Sequence, residues 1–189
     1  MPATFNQIVL PAVHKIKDVE TVLNSSVEHM VLLGGHIAQM KQIVDLASQA
    51  KVNVLLHADL IDGLKNDDYG VDFIIQHIAP AGIISTRANV VVKAKQRGLL
   101  AIQRMFLLDS DALERSYKII DKVKPDFIEV LPGIMPDIIA EVYERTQIPI
   151  IAGGLIRSEL HINQAINAGA VAITTSRQAL WKFNKSKEG

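Results

Sequence analysis

Apolar residues in this chain fall into short continuous runs, and between the runs they recur at every third or fourth position. The runs are Ile8 to Val13, Met30 to Leu33, Val52 to His57, Gly82 to Ser85, Leu100 to Met105, Phe127 to Leu131, Ile148 to Ala152 and Val171 to Thr175. Each has strand length and is rich in Val, Ile and Leu, the mark of a strand buried on both faces. The intervening segments, at about 17–24, 37–50, 66–78, 87–97, 111–123, 135–145, 158–168 and 177–183, carry helical spacing. Eight strands therefore alternate with eight helices at a period of roughly 24 residues.

Strict alternation implies parallel strands joined by right-handed crossovers. The expected fold is α/β, a small parallel (β/α)8 barrel of the TIM type. An open doubly wound sheet would carry a Gly-rich turn after its first strand, where this chain has Leu10-Pro11-Ala12-Val13. Such barrels typically need about 250 residues. With 189 residues the loops must be minimal and the last helix short. The first helix has the weakest pattern.

Composition bounds the partners. A chain that is 49% apolar is expected to form one domain over residues 1–189, with the polar stretch 184–189 as a disordered tail. Twenty basic and twenty acidic residues cancel, so nucleic acid can be attracted only by a local patch. The absence of cysteine excludes disulfides and thiolate metal sites. No apolar stretch reaches about 18 residues and no secretory signal opens the chain, so a cytoplasmic protein without a membrane partner is expected. The sequence leaves open whether it forms a homo-oligomer.

In a barrel of this kind, function belongs to the C-terminal ends of the strands. Those positions hold His36, His57, Asp59, Arg87, Asn89, Gln103, Arg104, Glu129 and Arg157. The seventh strand ends in Gly153-Gly154 and the eighth in Thr174-Thr175-Ser176. Glycines let backbone amides approach an anion, hydroxyls add donors, and Arg157 supplies charge, so the pair reads as a phosphate cradle. Thr86 and Asp111 precede helices and are expected to cap them.

His57 and Asp59 invite a metal, but no closed ligand set can be assembled, and neither a metal nor a cofactor is assigned. No strand run contains the lysine a Schiff-base aldolase needs. Asp59 and Glu129 suit acid–base work or the acceptance of ligand hydrogen bonds equally well, so no catalytic residue is assigned. A phosphosugar isomerase, epimerase or aldolase-like enzyme stays as the alternative.

From Arg87 to Lys124 nine basic residues face four acidic ones. Lys93, Lys95, Arg97, Lys118 and Lys122 are the candidate contacts to nucleic acid phosphates, against the plainer reading of a solvated surface with ion pairs such as Glu114 with Lys118. Aromatic residues are few, which favours recognition of RNA by shape and phosphates.

Five segments, His57-Ala58-Asp59-Leu60-Ile61, Ile84-Ser85-Thr86-Arg87-Ala88-Asn89, Ala101-Ile102-Gln103-Arg104-Met105-Phe106, Glu129-Val130-Leu131-Pro132-Gly133 and Ala152-Gly153-Gly154-Leu155-Ile156-Arg157, occur in an order that resembles the bacterial glycerol-3-phosphate responsive antiterminators. The resemblance runs from about Ile8 to Trp181. It implies a barrel that binds glycerol 3-phosphate as its effector and acts on the leader mRNA of glycerol-utilisation genes. With that ligand, the phosphate is expected among Gly153, Gly154, Thr175 and Ser176, with Arg157 and Thr174 nearby, and the glycerol hydroxyls are expected to meet groups drawn from His57, Asp59, Arg104 and Glu129. Members of the family often carry Asp after the second strand, where this chain has Gly34-Gly35.

Overall fold

The computed structural model describes residues 5–183. Ten strands are formed: β1 (Val9–Val13), β2 (His29–Leu32), β3 (Gly35–His36), β4 (Asn53–His57), β5 (Ile61–Asp62), β6 (Gly82–Ser85), β7 (Leu100–Phe106), β8 (Phe127–Leu131), β9 (Ile150–Gly153) and β10 (Ala170–Thr175). The helices are α1 (Ile16–Leu23), α2 (Ile37–Gln49), α3 (Asp68–Phe73), α4 (Ala88–Gln96), α5 (Ser110–Val123), α6 (Pro136–Thr146) and α7 (Glu159–Asn167). Eight strands close a parallel barrel in the order β1-β10-β9-β8-β7-β6-β4-β2. This is the TIM-type fold expected from the alternating runs.

One interior layer takes a single apolar residue from every barrel strand: Leu10, Val31, Leu55, Ile84, Ile102, Phe127, Ile151 and Ala172. Because strand side chains alternate, the next inward layer lies two residues further on. That layer is Ala12, Leu33, His57, Thr86, Arg104, Glu129, Gly153 and Thr174. The barrel thus changes from apolar to polar in one step, at the end where its ligands would enter. Residues of opposite parity, such as Val9, Met30, Val54 and Val130, face the helices and form the outer core.

Four local expectations are corrected. The segment 66–78 is helical only as α3 followed by a wide π turn at Ile74–Ile78, which ends at Ala79 in a left-handed conformation. The last helix is a single 3-10 turn, Gln178–Leu180. Arg87, not Thr86, begins α4, because the Thr86 hydroxyl and amide both donate to Asp59. Asp109 rather than Asp111 caps α5 and accepts from the Ala112 amide at 2.7 Å. β3 and β5 were not expected; they pair with each other in the connections after β2 and β4. The tail expected at 184–189 lies outside the described residues. No helix among the described residues is long and apolar enough to cross a membrane.

Candidate functional site

The polar layer is organised around one carboxylate. Register sets Arg104 on β7 beside Glu129 on β8. Arg104 Nε donates to Glu129 Oε2 at 2.6 Å, and Thr174 Oγ1 donates to Oε1 at 2.8 Å. Glu129 is fully buried. A buried carboxylate is tolerable only when paired and hydrogen bonded, and both of its oxygens are.

Gly153 is the register partner of Thr174. A Cβ there would lie 2.3 Å from Thr174 Oγ1 and 2.9 Å from Glu129 Oε1. This glycine makes room for the carboxylate network below the opening. Gly154 differs: its φ of +73° is a left-handed conformation, and it stands on the lip of the cavity.

His57 faces inward from β4 and is 2% exposed, and neither ring nitrogen meets a protein partner. Burial and then the Arg104 charge lower its pKa to about 4, against the opposing pull of Asp59 and Glu129. The imidazole is therefore neutral near pH 7. Between the ordinary value of 6.5 and about 4, the unfolded chain binds a proton that the folded chain refuses. Stability should hold above pH 6.5 and fall as pH drops through that window. His57→Gln should flatten the dependence in urea denaturation; an unchanged slope would mean that other groups carry it.

Asp59 is occupied elsewhere. It accepts from Ser85 Oγ at 2.6 Å, the Thr86 amide at 2.7 Å and Thr86 Oγ1 at 2.8 Å. Its carboxylate fastens the turn Ala58–Leu60 to the end of β6. His36 caps α2 through Nδ1, which accepts from the Ala38 amide. The two histidines and Asp59 thus have separate surroundings, and among the described residues no His, Asp and Glu cluster could hold a metal ion.

Above the carboxylate network opens a cavity of about 370 Å³. Arg104, Glu129 and Thr174 line its depth, Gly154, Arg157, Thr175, Ser176 and Arg177 its rim, and Ala12, Leu33 and Leu131 its apolar wall. Seven of the ten residues expected to bind ligand converge here. Gly153, His57 and Asp59 do not reach the lining. Arg177 was missed, although it directly follows the hydroxyl run that drew attention to this strand end.

The hydroxyls differ in role. Thr175 Oγ1 donates to the Ile156 carbonyl at 3.1 Å and accepts from the Arg177 amide at 3.2 Å, and Trp181 Nε1 donates to the Thr175 carbonyl at 2.8 Å. Thr175 therefore holds the turn. Ser176 is exposed and lines the cavity. A larger cavity of about 840 Å³ lies on the outer flank, between the connection from α1 to β2 and the Gln178–Leu180 turn. It receives none of the strand-end side chains.

The expected basic face is largely neutralised. Lys93 Nζ meets Asp72 Oδ2 at 2.8 Å, with Arg97 3.7 Å from the other oxygen of the same carboxylate. Lys95 lies 3.2 Å from Asp126. Both aspartates fall outside the stretch Arg87 to Lys124, so a local charge count overlooks them. Lys118 and Lys122 are exposed on α5, and Glu114 is approached by Arg145 at 4.0 Å rather than by Lys118.

Comparison with known proteins agrees with the fold. A family model described as glycerol-3-phosphate responsive antiterminator matches residues 9–181. The chain is 48% identical to the glycerol uptake operon antiterminator regulatory protein of Listeria monocytogenes str. 4b F2365, whose crystal structure superposes with a TM-score of 0.93 over 97% of this chain and 99% of that one. A glycerol uptake operon antiterminator-related protein from Thermotoga maritima MSB8 is 26% identical with a TM-score of 0.83, over 94% and 99% of the two chains. The uncharacterized protein YgcP of Escherichia coli (strain K12) is 33% identical over 178 residues, 93% of each chain.

Proposed function

We propose a function from one premise: the chain belongs to the glycerol-3-phosphate responsive antiterminator family. The ligand is glycerol 3-phosphate, held at the mouth of the barrel, and its binding governs an action on the leader mRNA of glycerol-utilisation genes. The observation that carries this reading is the cavity itself. Two arginines, a left-handed glycine and a free serine hydroxyl stand on its rim, over a buried Arg104, Glu129 and Thr174 network.

A phosphate fits the rim by charge and by donors: the guanidiniums of Arg157 and Arg177, the Ser176 hydroxyl and the Gly154 backbone. The glycerol hydroxyls then point down the cavity. Thr174 and the Glu129–Arg104 pair present acceptors and donors there, and the apolar wall faces the carbon chain. The inward polar layer contains no lysine for Schiff-base chemistry, and its cation is Arg104. A guanidinium stays protonated and is no nucleophile, so the position suits binding rather than carbonyl chemistry.

Ligand can act on RNA only by favouring one conformation over another, and the loops after β9 and β10 are the segments that close on the phosphate. Glycerol 3-phosphate at about one hundred times its Kd should stabilise the fold by roughly 2.7 kcal/mol. In thermal melts it should raise Tm far more than glycerol does. Ser176→Asp should remove that rise by placing a negative charge beside the phosphate. Equal shifts with glycerol, or an intact shift in the Ser176→Asp protein, would refute the phosphate assignment.

A further inference from the structure

We propose that RNA docks on the mouth of the barrel, on an arc of free cations formed by Lys15, Lys17, Arg157 and Arg177, and not on the flank of α4 and α5. This rests on the function proposed above and locates its macromolecular partner. The strand order β9-β10-β1 sets three connections side by side. Arg157 follows β9, Arg177 follows β10, and Lys15 and Lys17 follow β1. Gln178 Nε2 donates to Asp18 Oδ1 at 2.7 Å, which ties the residue after Arg177 to the first turn of α1. The four cations therefore share one surface.

All four side chains are exposed. Among the described residues none lies within ion-pair distance of a carboxylate, whereas Lys93, Lys95 and Arg97 of the α4 flank all do; Lys118 and Lys122 are also unpaired but stand on α5, away from the ligand cavity. Of the acidic residues on the arc, Asp18 is engaged by Gln178, and Glu20 and Glu159 remain. Unpaired cations are the ones that can release counterions from a phosphate backbone, because a lysine already neutralised by aspartate gains little. Ile16 and Leu155, 53% and 51% exposed, stand among the cations and offer apolar contact to sugar and base faces. They are isolated side chains, too little apolar surface for insertion into a lipid bilayer.

Arg157 and Arg177 also line the ligand cavity. A phosphate in the cavity draws on these two guanidiniums, so closure of their loops on ligand resets the charge that the arc offers to RNA and leaves Lys15 and Lys17 as its ligand-independent contacts.

The test is anisotropy of a fluorescein-labelled leader RNA from a glycerol-utilisation transcript, titrated across a salt series. K15A/K17A should bind about 25-fold more weakly near 0.1 M salt, with a salt slope less steep by about 1.4, the loss of two single-strand phosphate contacts. K15E/K17E adds repulsion and should bind more weakly still. Acidic residues in the first turn suit the dipole of α1, so this variant should fold, and its Tm rise with glycerol 3-phosphate should match the unmodified protein. K118E/K122E should bind like the unmodified protein. Loss in K118E/K122E with K15E/K17E unaffected would overturn the proposal, as would equal affinity in all variants. A protein that ignores this RNA but binds phosphatidylserine vesicles through the arc would overturn it too. If the unmodified protein binds no leader RNA, the proposed function itself falls; binding that survives K15E/K17E removes only this surface.

Discussion

Arg104→Met should cost about 3–5 kcal/mol of stability in chemical denaturation, because it leaves the fully buried Glu129 carboxylate without its cation. The two side chains are only 9% and 1% exposed, so water from the cavity is a poor substitute for the lost partner. Removing both charges is a different matter. Arg104→Met with Glu129→Gln should recover most of the loss, since an amide can still accept from Thr174 and carries no charge to desolvate. The double variant should nevertheless fail to respond to glycerol 3-phosphate, because the depth of the cavity has lost its ion pair. Single and double variants equally unstable would show that Arg104 acts by packing alone.

Gly153→Ala is the second large effect, and it is steric rather than electrostatic. The backbone at Gly153 is not left-handed, so alanine strains nothing by its φ. Its methyl would collide with Thr174 Oγ1 and crowd Glu129 Oε1, and β9 and β10 are too tightly paired to separate. Overpacking of this kind costs about 1–3 kcal/mol, and breaking a hydrogen bond to a charged group adds about 1.5–3 kcal/mol. Thr174→Ala removes the obstructing oxygen. The cost of Gly153→Ala should therefore shrink in a Thr174→Ala background, a coupling that a double-mutant cycle in urea measures. Strict additivity would place the fault elsewhere.

Both effects stem from a network that the sequence named only in pieces. The eight apolar runs made the barrel legible, because buried parallel strands need uninterrupted Val, Ile and Leu. The ends of the elements were less so: Thr86 was read as a cap since nothing local reveals Asp59 waiting across the sheet. Arg104 and Glu129 were both singled out, as two groups for the same ligand. Their attachment to each other depends on the register between β7 and β8, which a one-residue slip would undo and which no local pattern encodes.

Charge is hidden for a similar reason. Lys93 and Lys95 look free along the chain because Asp72 and Asp126 lie before and after the basic stretch, and folding brings them alongside. Arg177 was overlooked from the opposite side: the hydroxyl run ended the reading one residue early, although the turn held by Thr175 is what brings Arg177 to the rim.

The pairing of β1 with β10 has a consequence for how the molecule comes into being. Val9 to Pro11 cannot find Ile173 to Thr175 until residue 175 has been synthesised, so an emerging polypeptide carries two open sheet edges while the strands between are made. The strand that finally seals them is also the one that delivers Thr174, Thr175, Ser176 and Arg177 to the cavity. Closure of the sheet and assembly of the proposed phosphate cavity are thus a single event, and on the proposed function a copy that has not yet made this strand has no means of responding to metabolite.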